Sequence, residues 1–316
     1  MFRTPLERAK QLAVCLMVAS GPLRRLLNRH HLNLTDDERR QFHWLYGKMF
    51  TRWPFHRLMR GPAGRWTVRF MNRDIVMPLD RASLWLDWDV ALAITGHDNE
   101  VKQAYADLLS DDAPPELFFD VGANYGSHSI LFRSAGVPVI AIEPNTMCFG
   151  FCKMVCDLNG FALPQWEQVA IGDHRGEVDL VYPGRENWLG SISPAVARTI
   201  GKTREMTHHI VPLRPLDDYI GQAIGKRLLI KIDVEGFELE VLRGASRILA
   251  DVRPRIIFES NDTQSRLPLH ELLTSHDFSV HALPWRRGDR QPAAMTVEAF
   301  RQSRATNFMA TPITAP

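Results

Sequence analysis

The chain has 316 residues, of which 45% are hydrophobic and 23% are charged, a composition that excludes a disordered polypeptide and allows a large folded core. The net charge of +2 conceals an asymmetry, because residues 1–73 hold 15 Lys or Arg against 4 Asp or Glu, a net charge of +11, and the remainder carries −9. Four cysteines, of which three lie between residues 148 and 156, are too few and too clustered for a disulfide framework and favour a reducing, cytoplasmic location.

The basic N-terminal region is predicted to be mostly helical. Residues 12–19 form an apolar run that is far shorter than the ~20 residues that span a bilayer. An amphipathic stripe extends from Leu6 to Met17 through Ala9, Ala13 and Leu16. The run also resembles a short signal peptide, but Glu7 in the preceding segment disfavours export. Thr35 and Glu38 have the spacing of a capping box that begins a further helix, which Pro54 ends.

The arginines and aromatic residues of this region are compatible with several kinds of binding partner. A helical face of this composition could meet an anionic membrane surface, a lipid-linked glycan or a partner protein, or its arginines could be solvated on a helical cap. The residues match no RNA- or DNA-binding motif, so no nucleic acid partner is expected. The sequence does not specify an oligomeric state.

A β-hairpin and a helix follow. The hairpin is predicted from two strand-like runs, 66–70 and 75–77, which are joined by a polar turn at 72–74. It is expected to form a cap or lid. The helix is predicted at 96–109. These interpretations divide the chain into an N-terminal region, 1–95, and a main domain, 96–316.

In the main domain, strands and helices alternate, which predicts an α/β fold with a mainly parallel sheet. Strands are predicted at 117–121, 137–142, 166–170, 228–232 and 255–259. Helices are predicted at 127–135, 146–158, 237–250 and 267–275. Further strands are predicted at 176–182 and 208–213, which bracket a long irregular segment, and at 278–283 and 307–311.

The turn after the first of these strands, residues 120–126, contains Gly122 and Gly126. Glycines in a strand-to-helix turn let a ligand approach backbone N–H groups without meeting a Cβ, and the helix directs its positive end toward that ligand. The spacing departs from the G-x-G-x-x-G dinucleotide fingerprint, since Ala123 lies near the position of the second glycine. A tight turn without a ligand is the alternative for this motif alone.

Acidic residues follow two further strands. Glu143 lies about 20 residues beyond the glycines, where folds of this kind hold a ribose, and Asp233 and Glu235 end a later apolar run. Ligands of open α/β sheets bind at the carboxyl ends of the strands, so these acids should converge on one crevice.

Five segments in this order, DVGANYG, IEPN, VAIGD, KIDVEG and IIFES, resemble the FkbM-type family of S-adenosylmethionine-dependent methyltransferases over residues 96–261. The resemblance implies a Rossmann-like methyltransferase sheet whose last strand is antiparallel. It also implies S-adenosyl-L-methionine as cofactor and methylation of an oxygen, often on a sugar or a glycan-bearing small molecule. It does not fix the acceptor.

The same resemblance assigns nine residues to the cofactor. Those around its methionine part would be Asp120, Gly122, Ala123, Asn124 and Gly126. Those at the ribose and adenine would be Glu143, Asn145, Val169 and Ala170. The alternatives are that Asp120 only caps the following turn and that Glu143 is a solvated acid at a strand end.

A neutral sugar hydroxyl is a poor nucleophile, so a general base within hydrogen-bond reach would help. Asp233 and Glu235 are the first candidates. Alternatively, Asp233 binds the ammonium of the cofactor and Glu235 caps the helix that begins near residue 237. His128 and His97 are further candidates for the base, and Glu259, at another strand end, could touch the substrate.

The irregular segment between the two later strands could be a lid over the substrate. Trp188 could stack on a sugar ring and Ser191 could bind its hydroxyls, or the segment could be a hydrophobic tether with ordinary turn serines. No metal site is expected, because the clustered cysteines lack a fourth ligand and the usual zinc spacing, and are better explained as one buried helix face.

The sequence therefore favours an S-adenosylmethionine-dependent O-methyltransferase that acts on a hydroxyl of a carbohydrate or sugar-bearing metabolite, with a small molecule or a glycan as acceptor. An NAD-dependent oxidoreductase is the rival enzyme class, but the regular fingerprint and a Tyr-x-x-x-Lys pair near the crevice are lacking. A cofactor-binding membrane-surface or scaffold module without turnover is the third interpretation.

Overall fold

The computed structural model describes residues 20–35, 37–43, 64–79, 84–183, 206–284 and 293–313. The chain forms two compact units, one of residues 1–102 with 153–161 and the other of residues 103–152 with 162–316. The apolar run at 12–19, the helix end at Pro54, and the candidate lid residues Trp188 and Ser191 lie outside the described residues.

The first unit contains helices and a hairpin. Its elements are helices α1 (Gly21–Leu32) and α2 (Leu84–Gly96) and strands β1 (Gly64–Phe70) and β2 (Arg73–Leu79), and helix α3 (Asn99–Leu109) begins in it. The predicted capping box is confirmed, since the Thr35 amide donates to Glu38 Oε2 at 2.8 Å and the Glu38 amide donates to Thr35 Oγ1 at 3.4 Å. Residues 37–43 are helical.

Two predictions for this unit need correction. The helix predicted at 96–109 begins at Asn99, because Gly96 ends the separate helix α2. Helix α2 is buried along residues 90–95 except at Ala93, so it lacks the polar face by which an amphipathic pattern reveals a helix. The turn of the hairpin lies at residues 71 and 72 and not at 72–74. Asp74 belongs to β2, where it pairs with Arg69 of β1 through a 2.6 Å ion pair.

The second unit is an α/β domain around one large sheet. Its strands are β3 (Leu117–Val121), β4 (Val139–Ile142), β5 (Gln165–Glu167), β6 (Ala170–Ile171), β7 (Gly176–Pro183), β8 (Met206–Arg214), β9 (Leu228–Ile232), β10 (Arg255–Glu259), β11 (Phe278–Ala282) and β12 (Asn307–Pro312). Its helices are α4 (Ser127–Ser134), α5 (Phe149–Asn159, which continues into the first unit), α6 (Ile220–Ala223), α7 (Glu238–Arg243), α8 (Arg266–Ser275) and α9 (Val297–Gln302), with a 3₁₀ turn at Leu216–Tyr219 and a π-helical turn at Ile248–Val252.

The large sheet has the order β11-β12-β10-β9-β3-β4-β5. Strands β5, β4, β3, β9 and β10 are mutually parallel, and β12 runs antiparallel to both β10 and β11. The predicted α/β class, with a mostly parallel Rossmann-like sheet whose last strand is antiparallel, is confirmed. Strand β3 has β4 on one side and β9 on the other, so the order of the strands reverses there, and ligands of open sheets bind at such a point.

The central strands β3, β4 and β9 are buried at every position, as their continuous apolar sequences predict for a sheet covered on both faces. Arg266, only 2% exposed, lies beside this core and donates hydrogen bonds to four backbone carbonyls, those of Ser260, Phe300, Ser303 and Ala305. This arginine therefore ties the end of β10 to the segment around α9.

The strand predicted at 166–170 is divided between two sheets. Residues Gln165–Glu167 pair with β4, whereas Ala170–Ile171 pair with β8 in a separate sheet of order β6-β8-β7. Val169 accordingly packs in the core of the large sheet, and Ala170 packs in the core of the small one.

The helix predicted at 237–250 is interrupted after Arg243. A Cβ at Gly244 would overlap the carbonyl oxygen of Gly172, so only a glycine fits at this position. A second helical segment begins where the Asp217 carboxylate accepts the amides of Arg247 and Ile248 at 3.0 and 2.9 Å. In the part of the chain that the structure describes, no helix has the length and apolar character needed to cross a membrane.

Candidate functional site

The carboxyl ends of β3 and β9 lie side by side at the point where the strand order reverses. Val121 and Ile232 are register partners, and the Asp233 amide donates to the Val121 carbonyl at 3.0 Å. On the other side of β3, the amides of Gly122 and Ala123 both donate to the Ile142 carbonyl, at 2.9 and 3.0 Å. The turn after β3 is therefore anchored to both neighbouring strands.

These bonds correct one expectation from the sequence. Gly122 has a φ of +81°, and a Cβ there would overlap the carbonyl oxygen of Asp233, so this glycine makes room for neighbouring backbone. Gly126 has a φ of +76°, and its Cβ would lie 2.6 Å from Cys152 Sγ. Because both amides donate to the Ile142 carbonyl, the amides of Gly122 and Ala123 are already engaged within the protein and are not assigned to a ligand.

Asp120, in β3, is 1% exposed and caps the first turn of α4. Its Oδ2 accepts the amide and the hydroxyl of Ser129 at 2.9 and 2.6 Å, as the capping alternative predicted. Its other oxygen, Oδ1, is buried and accepts no hydrogen bond. Burial raises the pKa of Asp120 to about 6, against the effects of the Ser129 bond and the Lys231 charge. Asp120 thus has one oxygen left for a ligand's donor.

Glu143, at the end of β4, is buried and joins two loops. Its Oε2 accepts the Asn124 amide at 2.9 Å, and its Oε1 accepts the Asn145 amide at 2.7 Å. Burial raises the pKa of Glu143 to about 7, opposed by these two bonds and assisted by the charges of Asp120 and Asp233. The alternative of a solvated acid is wrong, because the side chain is 9% exposed. Each oxygen still has a lone pair for a hydroxyl donor.

Asp233, Glu235 and Glu259 form a carboxylate cluster, with oxygens all within 4.8 Å of one another. Burial, then the charge of Asp233 and a hydrogen bond to it, raises the pKa of Glu259 well above its usual range. Burial and the charges of Asp233 and Glu238 raise the pKa of Glu235 to about 7. The Lys231 ammonium lies 3.3 Å from Asp233 Oδ2, and we assign no metal ion to the cluster.

The turn between β9 and α7 is stabilised by Glu238. Its Oε1 accepts the amides of Gly236 and Val234 at 3.0 and 3.4 Å. The sequence suggested that Glu235 could cap this helix. The carboxylate that accepts the amides of this turn is instead Glu238, and Glu235, at a φ of +53°, belongs to the carboxylate cluster.

The other predicted site residues are placed less directly. His128 is buried in α4, with Nδ1 3.1 Å from the Tyr105 hydroxyl and its ring edge-on to Tyr105. His97 is in the first unit, where its Nε2 lies 3.6 Å from Asp98 Oδ2. Asn145 is 5% exposed, and its Oδ1 accepts the Met147 amide at 3.0 Å. Their roles in binding or catalysis stay predictions.

Three residues that position the site were missed from the sequence. Ser129 holds Asp120, Glu238 holds the turn after β9, and Lys231 faces Asp233. Lys231 carried a readable signal, because it is the one charged residue in an otherwise apolar strand. Ser129 and Glu238 carried none, since a serine or glutamate near the start of a helix is common.

The raised pKa of Glu235 predicts a dependence of stability on pH. A carboxyl whose folded pKa is about 7 instead of 4.5 contributes stability that is complete below pH 4.5 and is lost as the pH rises through 7. Between pH 5 and pH 8, the free energy of unfolding of the ligand-free wild-type protein should therefore decrease by about 1–2 kcal/mol more than that of Glu235→Gln. This figure is reduced from the full effect of the pKa shift because Glu235 is partly exposed to solvent. Urea unfolding at both pH values measures this difference. Equal losses in the two proteins would show that the Glu235 pKa is not raised.

Comparisons with known proteins concern the part of the chain that contains these residues. The family model described as "Methyltransferase FkbM domain" matches residues 120–281, which include Asp120, Glu143 and the carboxylate cluster. A curated protein, Methyltransferase 1 of Beauveria bassiana (strain ARSEF 2860), is 27% identical in an alignment 201 residues long that covers 57% of this chain and 80% of that protein.

Two solved structures are among those that align with the chain. A methyltransferase FkbM from Methylobacillus flagellatus KT aligns at 19% identity with a TM-score of 0.42, over 73% of this chain and 55% of that one. The alignment thus covers only about half of that protein. A magnesium protoporphyrin IX methyltransferase from Synechocystis PCC 6803 with bound SAM aligns at 15% identity with a TM-score of 0.38, over 72% of this chain and 84% of that one.

Proposed function

The chain belongs to the FkbM methyltransferase domain family, and from this premise we propose that it is an S-adenosylmethionine-dependent O-methyltransferase acting on a hydroxyl of a carbohydrate or sugar-bearing metabolite. The acceptor in this proposal is a small molecule or a glycan. A cytoplasmic location belongs to the same proposal, in keeping with the burial of Cys148, Cys152 and Cys156.

The single observation that carries the proposal is the surplus of carboxyl groups at the reversal of strand order. Burial and mutual repulsion raise the pKa of four of them: Asp120, Glu143, Glu235 and Glu259. Asp233 contributes to the repulsion on each of these four. S-adenosylmethionine carries a sulfonium and an ammonium, so its positive charges would offset this repulsion.

The same excess of carboxyl groups argues against a nicotinamide dinucleotide as the ligand of this site. The pyrophosphate of NAD is negatively charged and is normally held by the free amides of the glycine turn. Here the Gly122 and Ala123 amides donate to Ile142, and Asp120, at 1% exposure, lies in the strand just before them. A site of this charge would repel a pyrophosphate.

The residues present fit S-adenosylmethionine in two respects. The buried Oδ1 of Asp120, which accepts no bond, would accept the ammonium of the methionine part. Glu143 would accept the ribose hydroxyls through the lone pairs that its two amide bonds leave over. When bound, the cofactor supplies an electrophilic methyl group.

The chain's own contribution to the reaction would be orientation and proton handling. The Asp233 carboxylate lies between the Lys231 ammonium and the Glu259 carboxyl, and it would accept the hydrogen of the acceptor hydroxyl. Glu235 is the second candidate for this role. Holding the nucleophile in line with the methyl group supplies most of the effect, because correct orientation alone contributes about 7–11 kcal/mol in well-oriented intramolecular reactions.

Replacing Glu143 tests the assignment of the ribose. Glu143→Ala should weaken the binding of S-adenosylhomocysteine by about 2 kcal/mol, or about 30-fold, because charge-assisted bonds to the ribose hydroxyls are lost. Isothermal titration calorimetry measures this affinity. The variant should also be less stable, since the Asn124 and Asn145 amides lose their acceptor.

Asp217→Ala is a matched control for that experiment. Asp217 also accepts two backbone amides, those of Arg247 and Ile248 at 3.0 and 2.9 Å, and it has no assigned place in the site. The control should lose comparable stability and keep most of its affinity. Equal affinities in the two variants would remove Glu143 from the ribose site.

The proposal as a whole is tested with labelled cofactor. Purified protein incubated with methyl-labelled S-adenosylmethionine and cell extract should transfer the label to a carbohydrate-containing fraction as an alkali-stable methyl ether. Label found only on protein, nucleic acid or a nitrogen atom would contradict O-methylation of a sugar. Binding without any transfer to extract components would favour the module without turnover.

A further inference from the structure

Lys231 is a buried charge in the middle of the sheet. Its side chain has 0% exposure, and the other four residues of β9 are apolar and buried. Moving an ammonium out of water costs several kcal/mol unless it is paired, and an apolar side chain of similar volume would fill the same space. Packing alone therefore gives no reason for a lysine at this position.

The contacts of the Lys231 ammonium point toward the carboxylate cluster. Its Nζ lies 3.3 Å from Asp233 Oδ2 and donates to the Ile232 carbonyl at 3.3 Å. Lys231 is also the register partner of Asp120 on β3. Its positive charge favours the ionised forms of Asp120, Glu235 and Glu259.

Several acids act on Asp233. Those whose charges interact unfavourably with it come from β3, the end of β4, the turn after β9 and α7, and they are Asp120, Glu143, Glu235 and Glu238. Glu259, at the end of β10, shares a hydrogen bond with Asp233. A carboxylate among like charges takes up a proton unless an opposite charge lies close to it. A protonated Asp233 could not accept the hydrogen of an acceptor hydroxyl.

We propose that Lys231 is a positioning residue for methyl transfer, whose ammonium beside Asp233 keeps that carboxylate ionised and directed to the acceptor. The inference rests on the proposed function, because it assigns Asp233 the role of accepting the acceptor's proton. Lys231 acts through Asp233, with no contact of its own to the reacting atoms.

The test compares pH profiles of methyl transfer. Lys231→Met keeps an unbranched apolar chain in the strand and removes the charge. Initial rates of label transfer from S-adenosylmethionine to the carbohydrate fraction of cell extract are measured from pH 6 to pH 9. The rate of Lys231→Met should fall below that of wild type toward pH 6, by up to about tenfold for each unit by which loss of the ammonium raises the pKa of Asp233, and it should recover toward the wild-type rate at pH 9.

Two variants act as controls. Lys231→Arg keeps the positive charge, and its rate of label transfer at low pH should therefore be close to that of wild type. Lys102→Met removes another lysine of low exposure, 7%, in the first unit, and should leave both the rate and the profile unchanged. If Lys231→Met does not fold, Lys231→Gln also lacks the charge but keeps a hydrogen-bond donor, and it should show the same shift.

The outcomes separate this inference from the function on which it rests. A Lys231→Met rate that is lowered equally at every pH indicates a structural role, and a profile identical to that of wild type indicates no role; either result overturns the inference alone. A wild-type protein that neither binds S-adenosylhomocysteine nor transfers label overturns both the proposed function and the role of Lys231.

Discussion

Gly122→Ala should lower the free energy of unfolding by about 3–5 kcal/mol, of which about 1–2 kcal/mol is the cost of a side chain in left-handed backbone and the rest is the collision of its Cβ. The collision is with the carbonyl oxygen of Asp233, which is backbone and cannot rotate away. Because the site is built on the same contact, binding of S-adenosylhomocysteine should be lost together with stability. The sequence alone had suggested that a ligand occupied this space.

Gly136→Ala is a matched control for that prediction. Gly136 has the same φ of +81°, and a Cβ there would meet no atom within 4 Å. This variant should lose only the conformational part, about 1–2 kcal/mol. Urea unfolding of both variants measures the difference. Equal losses at the two glycines would show that the turn after β3 can move away from Asp233.

The second large effect is expected at the chemical step. Asp233→Asn should lower kcat by about 10²–10⁴-fold with little change in affinity for S-adenosylhomocysteine, because an amide can orient the acceptor hydroxyl but cannot take its proton. Glu235→Gln should have a smaller effect if Asp233 is the base. Steady-state rates with the labelled acceptor fraction and calorimetry with S-adenosylhomocysteine measure the two quantities separately.

Other results would reassign these acids. If Asp233→Asn mainly weakens the binding of S-adenosylhomocysteine, Asp233 holds the ammonium and Glu235 becomes the candidate base. Glu240→Gln, an acid of α7 paired with Arg243, is a nearby control that should retain normal turnover. Normal turnover in both amide variants would contradict a role for either acid and direct attention to His128, His97 and Glu259.

The sequence predicted the central strands well, for a physical reason. Strands β3, β9 and β10 have the predicted bounds, because each is a short, mostly apolar run between polar turns. The division of the strand predicted at 166–170 was not predictable, since alternation along a strand does not reveal which sheet it joins. Helix α2 was missed because a helix buried on most sides lacks an amphipathic pattern.

The site was predictable where its residues end strands. Glu143, Asp233 and Glu259 were found because parallel strands present their carboxyl ends at one edge of the sheet. What was missed depends on contacts across the fold. The sequence could not show that Ile142 accepts the turn amides, that Ser129 holds Asp120, or how close the carboxyl groups of Glu259 and Asp233 lie.

The most direct test of the proposed cofactor site is calorimetric titration at pH 7 in two buffers of different ionisation enthalpy. Burial holds the pKa of Glu143 and Glu235 near 7, so a ligand that brings positive charge to them should release protons as it binds. S-adenosylmethionine should bind with proton release, S-adenosylhomocysteine with less, and NAD not at all. Binding of NAD in place of both adenosyl ligands, or proton uptake with S-adenosylmethionine, would contradict this account of the site.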